Sequence, residues 1–491
     1  MLAKPLKLPP IHVDRFYLNM PCPIESRQAV SRAAPVNTGT RTNPPRSPRK
    51  MTATELTPAA HEQGTLRECQ DCGLFQDIVP LAAGDAAHCR RCNATLRRGA
   101  SNGMTKALVC YITALVLLIL AVQMPFLDLR SVGRLYQATL FTGPAQLQDF
   151  GMWEISIVVL ITLVAVPFIQ LALVLTVLIG LRAPHPSPRL RFLYGWVETL
   201  RPWSMIEVFL LGAFVAYSRL QAMAEVQVGP ALIALGGVML AMVAADIVLD
   251  HEEVWETFEA RGLRLNLPDQ PQHPLIGCDC CKLVLHARER SRCPRCGTRL
   301  RRRKPQSIAR TWALLGAAIA LYVPANILPV MTVIRFGRGE PNTIMSGVIE
   351  LIQAQMWPLA MLVFLASITV PLLKLAGLVL MLVMTGEGSV TRLRDRTRLY
   401  RFVDSIGRWS MIDVFMITIL VALVRMGFIA TVLPGTGAIA FAGVVVLTMF
   451  AAASFDPRLM WDAAAAAGHD LEAEDLETYP PHAHANQAAT P

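Results

Sequence analysis

The sequence has little charge and no nucleotide-binding loop. Of its 491 residues only 17% are charged, while 53% are apolar. No G-x-x-x-x-G-K-[ST] phosphate loop is present, so nothing signals ATP-driven work or a nucleotide ligand. The G-x-S-x-G elbow, the H-E-x-x-H helix and a paired-histidine haem pattern are also missing, and the chain is expected not to be an enzyme. Short segments of alternating polarity, the mark of an outer-membrane barrel, are lacking. The first ~60 residues contain no apolar core of a signal peptide.

What the sequence has instead is apolar runs long enough to cross a bilayer, which takes ~20 residues. Candidate spans lie at 106–127, 152–181, 203–218 and 229–249, then at 311–334, 354–384, 409–427 and 433–454. The net charge of +10 does not point to nucleic acid. Much of it sits in the Pro- and Arg-rich leader and in loops beside the spans, where Lys and Arg report topology. The basic segments 182–201, 282–310 and 392–408 mark one face as cytoplasmic. Eight spans then place both termini and both cysteine clusters inside. Met51 is a second candidate start, and His469, His482 and His484 read as solvated tail residues.

The chain repeats itself. Trp203-Ser204-Met205-Ile206-Glu207-Val208-Phe209 recurs as Trp409-Ser410-Met411-Ile412-Asp413-Val414-Phe415. Pro125 matches Pro329, Trp153 matches Trp357 and Pro167 matches Pro371, each 204 apart. After the basic loop the offset is 206, as for Tyr194 with Tyr400 and Trp255 with Trp461. Four spans per half make this a parallel repeat, and a site at the interface of the halves is expected. Trp153 and Trp357 read as interfacial anchors.

Each half is headed by a four-cysteine cluster: Cys69, Cys72, Cys89 and Cys92, then Cys278, Cys281, Cys293 and Cys296. Two C-x2-C pairs, separated by 16 residues in the first cluster and 11 in the second, suit a tetrahedral ion held by four thiolates. Four thiolates leave no open position, which favours structural Zn2+. A rubredoxin-like iron and redox chemistry are the alternatives. Gly73 and Gly297 follow their pairs, where a tight knuckle needs positive φ. Cys280 reads as a bystander thiol, and the isolated Cys22 and Cys110 suggest no site.

Ionisable residues inside apolar spans are costly and mark function by default. Lys374 lies three residues after Pro371, and its first-half counterpart is Gln170. Asp413 lies one turn beyond Trp409, and its counterpart is Glu207. A Lys374–Asp413 pair is expected, with Glu207 bonded to Gln170. That arrangement is either a structural clamp or a polar, proton-linked gate, unless Lys374 merely snorkels. Ser204 and Ser410 either cap helix starts or extend the network, with capping favoured. Pro167 and Pro371 give a static bend or a hinge.

Two C-x2-C ribbons, each heading a four-span unit, together with the R-W-S-M-[ILV]-D-V-F phrase at Arg408–Phe415, resemble the paraquat-inducible protein A family. The resemblance covers about 65–460. It implies a bacterial inner-membrane protein that exchanges phospholipid with a partner whose mammalian-cell-entry domains form a tunnel across the periplasm. It also implies two tetraspanin-like four-helix modules with zinc ribbons, and a membrane network at Lys374, Ser410 and Asp413. The expected fold is an all-α polytopic membrane protein. Its expected parts are a disordered leader (1–64), ribbon 1 (65–100), module 1 (101–257), ribbon 2 (270–304), module 2 (305–461) and a disordered tail (462–491). A zinc-ribbon stress scaffold or sensor, and a redox protein using quinone, are the competing readings.

Overall fold

The computed structural model describes residues 65–79, 81–82, 84–99, 103–131, 134–221, 225–263, 272–335, 338–424 and 430–468. The leader, Met51, Cys22, His469, His482 and His484 lie outside the described residues.

The protein is mostly helical, and among the described residues eight helices are long and apolar enough to cross a membrane. In chain order they are Met104–Gln123, Trp153–Gly180, Leu190–Gln221, Pro230–Val248, Ser307–Ile327, Trp357–Gly386, Leu393–Leu423 and Thr436–Ser454. The third and seventh begin earlier than expected, inside basic segments read as loops. Leu190, Tyr194 and Val197 form a buried stripe on Leu190–Leu200, so this amphipathic helix lies against the protein. The helix Arg458–Ala466 runs past Asp462, where the tail was expected to begin, because Met460, Trp461 and Ala464 are buried.

The all-α expectation needs correcting for short antiparallel sheets. On the face opposite the ribbons each half builds three strands. Leu127–Ser131 lies between Arg134–Ala138 and Glu225–Val228, and Met331–Arg335 between Arg338–Asn342 and Ala430–Pro434. The expected first and fifth spans overran into these sheets. Pro125 and Pro329 follow the helix ends, but aliphatic residues continue beyond them and hide the change of period. Gly229 and Gly435 are needed at matching places. A Cβ there would lie 2.3 Å from the Pro125 carbonyl oxygen and 2.2 Å from that of Pro329.

The first span packs along the fourth, and the fifth along the eighth. The third and seventh meet at the centre, where Phe209 and Phe415 stack edge to face at 5.6 Å. Every residue from Ile412 to Leu423 is buried, which makes this span the core of the assembly. Trp153 and Trp357 are exposed at the starts of the second and sixth spans. Both of these spans contain one π-helical turn, Ile161–Ala165 and Leu365–Thr369. Each turn directly precedes a helical segment, Val166–Gly180 or Val370–Gly386, whose second residue is Pro167 or Pro371. Proline has no N–H for the carbonyl four residues back, and a wide turn absorbs the lost bond.

Candidate functional site

The cysteines form four knuckles of one design. In each, the first cysteine's carbonyl accepts the N–H four residues on: from Gly73, Asn93, Lys282 and Gly297, at 2.8–3.0 Å. All four of those residues have positive φ, so Asn93 and Lys282 do what only the glycines were expected to do. Cys69, Cys72, Cys89 and Cys92 bring their sulfurs within 4.8 Å of one another, as do Cys278, Cys281, Cys293 and Cys296. Sulfur pairs as close as 3.4–3.5 Å approach the ~3.8 Å edge of a tetrahedron with ~2.3 Å metal–sulfur bonds. Both sets are buried and can hold a metal ion. Cys280 is outside the second set.

The ribbons pack crosswise to their order in the chain. Ribbon 1 precedes the first half, yet its cysteines cluster with Leu375, Leu378, Phe455 and Trp461 of the second half. Ribbon 2 lies on the first half: Arg191 donates to the Pro294 carbonyl at 3.1 Å, and Arg295 pairs with Glu252 and Glu259 at 3.0 and 2.8 Å. Between them sits Arg458, which is 2% exposed. Its guanidinium pairs with Asp456 (3.0 Å), with Glu68 of ribbon 1 (3.3 Å) and with Asp279 of ribbon 2 (3.1 Å). Burial works against the charged Arg458, but the bonds to Asp456 outweigh it and raise its pKa. Burial raises the Glu68 carboxyl, with Arg458 and Arg303 pulling the other way.

The membrane site differs from the expected pairing. Lys374 is buried and donates to Ser410 Oγ at 3.1 Å and to the Gly407 carbonyl at 3.2 Å. It does not hydrogen-bond Asp413, whose carboxylate lines a cavity that Lys374 does not reach. Ser410 therefore belongs to the lysine's network and does not cap a helix, and Ser204 makes no side-chain hydrogen bond among the described residues. In the first half the expected bond is absent as well. Glu207 is exposed, and Gln170, although buried, has an Oε1 that accepts no hydrogen bond.

Asp413 lines a narrow cavity with about 30 Å³ of free volume, shared with Ser367, Asn342, Gly347 and Arg219. Neither Asp413 carboxylate oxygen accepts a hydrogen bond among the described residues, and Ser367 Oγ is unpaired too. Arg219 reaches in from the third span of the other half and donates to the Gly347 carbonyl at 3.1 Å. Arg219, Met331 and Asn342 also line an outer cavity of about 460 Å³, which extends past Glu350, Leu420 and Val424 on the face opposite the ribbons. Both central spans contribute to these walls, the third with Arg219 and Leu220 and the seventh with Asp413, Met416, Ile417 and Leu420.

Arg219 was missed because the expected third span stopped at 218. The repeat carried the signal: Arg219 plus 206 is Arg425, so both halves place an arginine at the same position. Ser367 was hidden among the apolar residues of the π turn, where helical periodicity misreports direction.

No solved structure matches the chain. The family model described as Paraquat-inducible protein A matches residues 104–259 and 308–465. The chain is 34% identical to the intermembrane transport protein PqiA of Escherichia coli (strain K12) over 400 residues, which is 80% of this chain and 95% of that one. It is 30% identical to the lipophilic envelope-spanning tunnel protein A of the same organism over 405 residues, 82% and 92% of the two chains. A probable intermembrane transport protein of Haemophilus influenzae is 26% identical over 419 residues, 84% of this chain and 98% of that one. With its doubled four-span unit matched in both halves, the chain belongs to the paraquat-inducible protein A family.

Proposed function

We propose that this chain is the inner-membrane subunit of an envelope lipid-transport system. It passes phospholipid between the inner membrane and a periplasmic tunnel partner bearing mammalian-cell-entry domains. Relatives named as intermembrane transport proteins support the transport class. In this reading the two halves are tetraspanin-like modules, and the basic segments put the ribbons and both termini in the cytoplasm. Each ribbon holds a structural Zn2+, since the buried four-thiolate sets fit that ion and leave no position open for substrate.

The observation that carries the reading is the outer cavity of about 460 Å³ between the halves, which shares Arg219, Met331 and Asn342 with the narrow cavity lined by Asp413. Its size falls in the ~300–1,000 Å³ range of ligand pockets, and its walls mix apolar side chains such as Met331, Leu351 and Val432 with the polar Arg219, Asn342 and Glu350. Arg219 supplies a cation beside that wall, suited to a lipid phosphate. Lys374, Ser410 and Asp413, with Gln170, Glu207 and Ser204 as their first-half counterparts, form the polar layer beneath it. Pro167 and Pro371, each beside a wide helical turn, are the hinges.

Photocrosslinking in cells labelled with radioactive phosphate tests this. With the probe at Met416 or Leu420, labelled lipid is expected well above that at Ile233 and Ile247, which are 73% and 74% exposed on the fourth span. Equal labelling at all four positions overturns the proposal.

A further inference from the structure

Arg401 joins the two knuckles of ribbon 1 to the membrane site of the second half. Its guanidinium bonds Asp71 at 2.6 Å, in the first knuckle, and the Cys92 carbonyl at 2.8 Å, in the second. One side chain can hold both contacts only while the knuckles are held together. Arg401 stands on the helix Leu393–Gly407, and six residues on, about 9 Å along the axis, the Gly407 carbonyl accepts Lys374. Ser410, the other partner of Lys374, lies in the turn that follows. On the membrane side, Leu375 and Leu378 of the lysine's own helix pack into the cluster that contains the four cysteines. Lys374 and both its partners are thus placed by elements resting on ribbon 1.

The first half provides the internal comparison. Arg401 minus 206 is Gly195, and Asp71 occupies the place in its knuckle that Cys280 occupies in ribbon 2. Gly195 and Cys280 do meet: a Cβ on Gly195 would lie 3.4 Å from the Cys280 sulfur. Ribbon 2 therefore rests on the helix Leu190–Leu200 as ribbon 1 rests on Leu393–Gly407. There the contact is a small packing one with no ion pair, and above it stands Gln170 rather than a lysine. Cys280 is then a contact residue of the ribbon–helix seat.

We infer that Arg401 is a positioning residue: bridging the two knuckles of ribbon 1, it sets the Gly407 carbonyl and Ser410 for Lys374. Metal in the amino-terminal ribbon accordingly governs the polar site of the carboxy-terminal half, and metal in ribbon 2 does not. The inference is independent of what the membrane site carries.

Hydrogen exchange on the purified full-length protein in nanodiscs tests it, with metal content measured alongside. Arg401→Gln and Asp71→Asn are expected to raise exchange severalfold over 401–411, to leave 190–200 unchanged and to keep both metal sites filled. Arg401→Lys, which keeps the charge and a donor for the Asp71 carboxylate and the Cys92 carbonyl, is expected to keep much of the protection that Arg401→Gln loses, which a general loss of packing would not allow. Cys92→Ser should loosen 401–411, and Cys293→Ser should loosen 190–200. If the cysteine variants fail to accumulate, the Arg401 and Asp71 variants decide alone. Unchanged exchange over 401–411 in Arg401→Gln, or equal loosening of both helices, overturns the inference.

Discussion

At the scale of single residues, this protein separates charges that hold it together from charges left in reserve. Arg458 is of the first kind, since each of its bonds ends on a carboxylate it neutralises. Removing one partner of a buried ion cluster strands the others, at a cost of ~3–5 kcal/mol. Arg458→Ala is therefore expected to lower the melting temperature and the amount of protein in the membrane. Glu68→Gln should be milder. Burial already raises the Glu68 pKa, so its charge is held at a cost near neutrality, one that is lost as pH falls through the raised value toward the ordinary one. Asp413 and Ser367 are of the second kind, buried polar groups without partners. Such groups cost stability and persist where a site needs them. Asp413→Ala and Lys374→Ala are expected to impair envelope barrier function while the protein still accumulates, and in a strain without redundant systems a normal barrier in both variants would exclude the polar site. A charge-assisted bond contributes ~1.5–3 kcal/mol, so the loss for Lys374→Ala should be roughly ten- to hundredfold in transport rate.

At the scale of elements, the two π turns govern the direction of side chains. A helix that gains one residue in a turn rotates everything after it, and Ser367 lies inside that turn, against the inner cavity. Restoring the N–H at Pro371 removes the reason for the wide turn. Pro371→Ala is expected to match or exceed the parent in thermal stability, because proline inside a helix costs ~3 kcal/mol. It should nevertheless lose lipid labelling at Met416. A variant that is both stable and fully labelled would reduce the turn to a static bend. The knuckles are the opposite case, short elements dictated locally. Two residues between paired cysteines and a positive φ just after them fix the geometry whatever surrounds it.

At the scale of the whole molecule, the crossed ribbons make the two halves one object. Ribbon 1 seats mainly on the second half, with Arg67 and Arg97 also reaching Glu252 and Glu256 of the first, and ribbon 2 seats on the first half, so the second half is complete only when the end of the chain meets its beginning. Metal binding to such sites adds directly to folding free energy. Cys69→Ser or Cys293→Ser is expected to lower the abundance of the entire protein rather than of one fragment, as immunoblots of membranes would reveal. Elemental analysis of the purified protein should find zinc at both clusters and a colourless solution. Bound iron with visible absorption would instead revive the redox reading.

The sequence by itself determined the parts. Spacing of cysteines fixes knuckles because two intervening residues leave little conformational choice. Apolar length fixes spans because hydrocarbon excludes unpaired backbone. The offsets of 204 and 206 fix the doubling. The tertiary structure alone decided which parts meet. Lys374 was placed on the correct helix, yet its partners proved to be Ser410 and the Gly407 carbonyl, since a long side chain bonds whatever its turn of helix faces. Asp413 shares its cavity with Arg219 of the other half, a residue more than 190 positions away in the chain. The crossing of the ribbons left no local trace, because a knuckle has the same sequence whichever half it rests on.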